Sequence, residues 1–411
     1  MSNNISKKIL LGLSLVGPGL FLIGYNIGTG SVTTMAKAGA EHGMSLFWAL
    51  VLSCIFTYIL MVAYGQVTLV SGQTALYNIK TKLRYGYPLA LYILIALILG
   101  ELLALMGIMG IVTDLLQEGI RLLGMGEVNT LGINAILVVG LFALLFYGRY
   151  QLFEKILTFF VILMGLCFLV VFFMVRPDFG EIASGLIPRI PNQPGALGLV
   201  AAMAGTTCSA AVFVIRSIVV AEKGWDINHL ASEKRDAFVS AGMMLFLSGV
   251  IMAVGAGTLH VMGLKLTDTV EMIQLFEPIG GKVAALLLIL GITGAGLSTI
   301  FPIVLIAPWL ISDLRGTPRD IRSPLFRILG AAGLLFSFGL QFINERPPAM
   351  MIFSQAFQAC ILPAVTIPIM ILINQSSIMG EHKATRRTNA GLWAVLIFSL
   401  VTSYFAIAEL V

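Results

Sequence analysis

Uninterrupted apolar runs of bilayer length constrain this chain more than any other feature. Residues 89–100, 133–147 and 156–175 are almost wholly apolar, and about 20 such residues cross the hydrocarbon core as a helix. Of the 411 residues, 58% are hydrophobic and 11% charged, whereas a soluble domain carries about a quarter charged residues. The pattern predicts an all-α membrane protein. It excludes a transmembrane β-barrel, whose strands alternate in hydrophobicity over about ten residues. Eleven spans are expected, near 9–36, 46–70, 88–117, 131–147, 153–175, 196–220, 237–262, 282–311, 325–343, 350–373 and 391–409. They form one transmembrane domain over 1–411.

Charge supplies the orientation. With the N-terminus inside, 18 of the 25 Lys and Arg residues fall on the inner side. Lys37, Arg121, Arg176, Arg189, Lys265, Lys282 and Arg346 fall outside. This is the positive-inside bias of a plasma (inner) membrane protein. An odd number of spans then sets the C-terminus outside. The net charge of +5 is topological and implies no nucleic-acid partner. Cys54, Cys167, Cys208 and Cys360 all lie in spans without CxxC spacing, so neither a disulfide framework nor a zinc site is expected. The first span follows Lys7 and Lys8 but has no small-residue cleavage site, so it reads as a span and not a cleaved signal.

Two spans are interrupted by small polar residues. The first interruption is Gly24-Tyr25-Asn26-Ile27-Gly28-Thr29-Gly30-Ser31, and the second is Ala204-Gly205-Thr206-Thr207-Cys208-Ser209-Ala210. Freed backbone groups at membrane depth are tolerated where they line a cavity or face protein. The interruptions fall in spans 1 and 6, at matching places in two five-helix halves, about 9–175 and 196–373, with an extra helix at 391–409. Matched interruptions point to a substrate site in an inverted-repeat transporter. Close helix packing through Gly and Ser is the competing reading.

At these residues the sequence resembles the Nramp family of proton-coupled divalent-metal transporters. The likeness runs through Gly17-Pro18-Gly19, Ala38-Gly39-Ala40, Ser45-Leu46-Phe47-Trp48, Val70-Ser71-Gly72, Glu154-Lys155, Gly165-Leu166-Cys167-Phe168, Gly294-Ala295-Gly296-Leu297-Ser298-Thr299, Ser354-Gln355 and Leu362-Pro363. It implies a LeuT-like fold with a 5+5 inverted repeat, alternating access, proton symport and a central site between helices 1 and 6. The family's metal ligands are absent. Its Asp-Pro-Gly-Asn is replaced by Gly28-Thr29-Gly30-Ser31, its Met-Pro-His by Ser209-Ala210-Ala211, and a further histidine by Arg216. Of the two acids on the family's proton route, Glu101 matches one and Ala104 replaces the other.

Neither interruption carries an acid. Two positive charges near the midplane are costly without one. The Gly-Thr-Gly-Ser segment instead offers backbone N–H groups at a half-helix N-terminus, which suits an anion. The leading expectation is therefore a secondary transporter for a small polar or anionic organic solute, such as a carboxylate or amino acid. A divalent-metal transporter (manganese, iron or magnesium) is the alternative. Asn26, Gly28, Thr29, Gly30, Ser31, Thr206, Thr207, Cys208, Ser209 and Gln355 are the candidate substrate contacts. Glu101 is the candidate proton carrier, since an intramembrane acid is a functional candidate by default. Gln358 is placed with Gln355 on either the cavity wall or a helix contact. Arg216 reads as an anion attractor or an ordinary positive-inside residue, and Lys37–Glu41 as an exposed ion pair. No HExxH, GxSxG or paired intramembrane carboxylates suggest an enzyme, and no cofactor or protein-bound metal is expected.

Overall fold

The computed structural model describes residues 28–147, 150–343 and 345–409. Among these residues the chain is helical, with no strand. The helices are α1 (Thr29–His42), α2 (Phe47–Ser71), α3 (Ala75–Lys82), α4 (Gly86–Leu122), α5 (Thr130–Tyr147), α6 (Tyr150–Val175) and α7 (Phe179–Ser184). After these come α8 (Ala196–Thr207), α9 (Ala210–Glu222), α10 (Leu230–Gly255), α11 (Gly281–Arg315), α12 (Pro324–Phe336), α13 (Pro347–Asn374), α14 (Ser376–Met379) and α15 (Arg386–Ala408). A π-helical turn, Ala256–His260, extends α10. A 3-10 helix, Thr269–Ile279, covers the loop before α11.

Spans 2 to 11 of the sequence reading match these elements, the ninth through a 3-10 helix, Ser337–Phe342, that continues α12, and among the described residues 8 helices meet the length and composition of a membrane crossing. The largest departures are ends that grow. α4 runs five residues past 117, and its last turn carries an ion pair between Arg121 and Glu118. α10 begins at Leu230, before the apolar stretch, because its polar first turns are held by ion pairs in the protein interior. The first half of span 1, with Tyr25 and Asn26, lies outside the described residues.

Local chemistry sets the boundaries. α2 and α11 stop at Gly72 and Gly316, whose φ of 66° and 68° lies in the left-handed region that suits glycine. Thr74, Ser323 and Thr385 each accept a backbone N–H from the first turn of α3, α12 and α15, satisfying an otherwise unpaired donor.

The helices α8 and α9 occupy the middle. Their apolar window is 100% buried, against 33% for α15. α8 packs on α13, α15, α1 and α2, and α10 packs on α1 and α2. α4 and α11 pack on each other and close the other flank. Close approach at this centre depends on small residues. A Cβ on Gly205 would run into the Gln355 carbonyl of α13, and one on Gly39 into the Met252 carbonyl of α10. Such small-residue contacts are how helices associate where no hydrophobic force separates protein from lipid.

Candidate functional site

The second interruption is a true break. α8 ends at Thr207, Cys208 leaves helical geometry (φ −105°, ψ 49°), and Ser209 is extended before α9 starts. The break exposes backbone groups, and part of that exposure is repaired. The Thr57 hydroxyl of α2 donates to the Thr207 carbonyl at 2.9 Å. At the other interruption, α1 starts at Thr29 with Gly28 in an extended conformation as its cap. Among the described residues, no side-chain cap hydrogen bond is made at the N-terminus of α1 or of α9. The two half-helices are joined by a 3.1 Å hydrogen bond between the Ser31 and Thr206 hydroxyls.

These ends meet at a central cavity of about 40 Å³, lined by Gly28, Gly30, Ser31, Glu101, Ala104, Ile108, Thr206, Ser209, Thr299, Ile303, Gln355 and Gln358. Six of the predicted substrate contacts, Gly28, Gly30, Ser31, Thr206, Ser209 and Gln355, therefore line one cavity, together with the predicted proton carrier Glu101. Thr29, Thr207 and Cys208 are not among the lining residues. The Thr29 hydroxyl turns away to donate to the Ile292 carbonyl of α11 at 3.4 Å. Thr207 faces Thr57, and Cys208 is fully buried in the apolar core. Asn26 lies outside the described residues.

Glu101 and Gln358 act as a pair. The Gln358 amide donates to the Glu101 carboxylate at 2.7 Å, bridging α4 and α13. Glu101 is 4% exposed, yet lines the cavity. Neither interruption carries an acid in its sequence. The fold brings the carboxylate from α4 instead, so the centre does carry a negative side chain. No basic residue lines the cavity among the described residues.

Thr299 of α11 and the apolar Ile108 and Ile303 were missed by the sequence reading. Thr299 lies in the Gly294–Thr299 segment that carries the family resemblance, and its hydroxyl back-bonds to the Ala295 carbonyl at 2.8 Å. It stands so close to Gly28 that a Cβ there would collide with its hydroxyl.

Arg216 belongs elsewhere. It is fully buried, with Nε donating to Glu233 at 2.6 Å and Nη2 to Asp236 at 2.8 Å. Both acids come from the first turns of α10, so Arg216 is a buried ion-pair partner and does not line the cavity. An unpaired guanidinium could not stay so deep in protein. Next to this cluster, burial lowers the Lys223 pKa, while Asp236 and Glu233 pull it back up. The Lys37–Glu41 pair, expected to be exposed, is half-buried at 2.6 Å, because Lys37 also donates to the Leu266 carbonyl of the covering loop at 2.7 Å. Among the described residues, no cluster of three metal-ligating side chains occurs.

A helical membrane bundle with a cavity at two facing helix ends is the architecture of a secondary membrane transporter. The sequence model described as Natural resistance-associated macrophage protein-like matches residues 19–409, and the chain belongs to the Nramp family. It is 23% identical over 407 residues to the divalent metal cation transporter MntH of Ralstonia nicotianae, covering 95% of this chain and 88% of the relative. Against MntH of Staphylococcus saprophyticus the identity is 25% over 427 residues, with 96% and 92% covered. The fold matches the Eremococcus coleocola manganese transporter, solved in complex with an aromatic bis-isothiourea substituted compound. That match has a TM-score of 0.73 at 17% identity, covering 96% of this chain and 86% of that one. It also matches MhsT in complex with L-phenylalanine, with a TM-score of 0.61 at 13% identity and coverage of 97% and 98%. These likenesses establish a LeuT-type fold.

Proposed function

We propose that this chain is a proton-coupled transporter of a divalent cation, bound through oxygen ligands. The observation that carries the reading is Glu101, a carboxylate on the wall of a cavity otherwise lined by hydroxyl, amide and apolar groups. A doubly charged ion at this depth needs a negative partner, and Glu101 supplies it. Ser31, Thr206, Ser209 and Thr299 offer hydroxyl oxygens, and Gln355 an amide oxygen. Carboxylate, carbonyl, hydroxyl and water oxygens suit magnesium, calcium and manganese; softer metals favour sulfur and imidazole.

Size supports the same reading. One water needs about 10–15 Å³ of such volume, so about 40 Å³ holds an ion with a small part of its water shell. An amino acid would require the helices to part. Relatives named for divalent metal cations support the substrate class. Glu101 holds either a proton or the ion's charge, which couples the two. The charge distribution supports a plasma-membrane protein with its N-terminus in the cytoplasm and its C-terminus outside.

One observation favours the organic-anion reading. The uncapped N-termini of α1 and α9 present positive partial charge at the cavity. Uptake into liposomes separates the two. With acid outside, manganese or magnesium uptake is expected, and Glu101→Gln should reduce its proton-driven part at least tenfold. Absence of flux for every divalent ion, with uptake of an amino or organic acid, would replace this reading with the second.

A further inference from the structure

Glu101 lines a second cavity as well as the central one. This crevice, of about 170 Å³, lies between α4, α11 and α12. Ile98, Val304, Ala307, Gly333 and Phe336 form much of its wall, and every lining side chain other than Glu101 is apolar. It reaches the outside of the bundle. Phe336, on its wall, is 45% exposed, and the same helix presents Ile328 and Leu335 to the surroundings. That surface is hydrocarbon-facing by composition, so the crevice opens toward lipid and ends at a carboxylate.

We propose that this crevice is a ligand site distinct from the substrate cavity, and that it takes a small hydrophobic amine arriving from the bilayer. The argument is volume and charge. An apolar protein cavity of about 150 Å³ accommodates a benzene ring, and this one has room for a ring with a short stem. An apolar wall with a single polar group fixes both the body and the orientation of a ligand. Of the possible head groups, an ammonium matches Glu101, since a cation leaving water for such a site requires an opposite charge. A plain acyl chain or neutral arene would fill the apolar wall but make no use of the carboxylate at its end. The amine would sit with its ring between Val304 and Gly333 and its charge against Glu101. It would thus reach the proton-carrying group without entering the path of the substrate. This goes beyond the transport reading and does not depend on which substrate is carried.

The geometry supplies a selective block. A Cβ on Gly333 would find its nearest atom, in Val304, at an ordinary 3.8 Å, and Gly333 lines the crevice but not the central cavity, so a larger side chain there fills the crevice alone. Calorimetry on the purified full-length protein in detergent, with 2-phenylethylamine as the probe and propylbenzene as its neutral counterpart, tests the site. Amine binding is expected to weaken at least tenfold in Gly333→Leu and in Glu101→Gln. It should be unchanged in Gln355→Ala, which alters the central cavity alone. Propylbenzene binding as tight as the amine would overturn the proposal. So would full affinity in Gly333→Leu, loss of affinity in Gln355→Ala, or no amine binding at all. Should Gly333→Leu not fold, Ala332→Leu on the same wall reads the same point.

Discussion

Gly30 shows how one absent side chain shapes the cavity. A Cβ there would lie 2.7 Å from the Gln355 amide nitrogen and 3.2 Å from the Met351 sulfur. Both are ends of flexible side chains, so the fold can tolerate a substitution that the cavity cannot. Gly30→Val is therefore expected to lower substrate uptake at least tenfold while the thermal melt in detergent stays within a few degrees. An unchanged uptake rate would mean that this wall does not touch substrate. Arg216 is the opposite case, since its place is structural. Removing one partner of a buried ion pair costs about 3–5 kcal/mol, because the remaining charge is left uncompensated. Arg216→Met should lower thermal stability accordingly, and adding Glu233→Gln should restore part of the loss. Additive losses in the double variant would show that the two side chains are not coupled.

At the scale of elements, the break between α8 and α9 and the approach of α8 to α13 depend on each other. The chain can leave helical geometry at Cys208 because neighbouring helices receive its freed backbone groups, as Thr57 does for the Thr207 carbonyl. α13 can come close enough to place Gln355 and Gln358 on the cavity because Gly205 has no side chain facing the Gln355 carbonyl. Gly205→Ala is thus predicted to push α13 away. An overpacking loss of about 1–3 kcal/mol is expected, with weaker substrate binding measured on the same preparation. Normal stability together with normal binding would mean that the two helices are not in this register.

At the scale of the whole molecule, polar contacts tie the helices together at both ends of the bundle. At one end Arg319 bridges Glu222 of α9 and Asp313 of α11 at 2.8 and 3.0 Å, and Asp313 accepts from Thr74 at 2.8 Å. At the other, Lys37 holds Leu266, Arg346 pairs with Asp268, and Thr269 donates to Asp114. In a transporter that works by alternating access, such layers open in turn. Arg319→Gln removes two contacts from one layer and none from the other. It should raise the reactivity of Ser209→Cys toward a thiol reagent added from the Arg319 side, by several-fold in oriented vesicles. Equal reactivity with and without Arg319 would show that this layer does not gate the cavity.

Much of the architecture was legible in the chain itself. Apolar runs of bilayer length fixed ten described spans, because lipid leaves the backbone no alternative to the helix. The break at Cys208–Ser209 was visible as small polar residues inside an apolar run. Gly28, Gly30, Ser31 and Thr206 could be singled out for the same reason, since each belongs to an interruption. What the sequence alone could not supply was the company these residues keep. Glu101 stands more than seventy positions from Gly30 and about a hundred from Thr206, and nothing local ties it to either. Only the packing of α4 against α13 brings its carboxylate to the cavity. Tertiary structure likewise decided that Arg216 is an ion-pair anchor and that Cys208 is packed in the core, because whether a polar group faces a cavity or a partner depends on which neighbour reaches it first. The sequence determined that the chain spans the membrane as a broken-helix bundle. The fold determined the charge at its centre, because an electrostatic field is the sum over groups that chain order does not bring together.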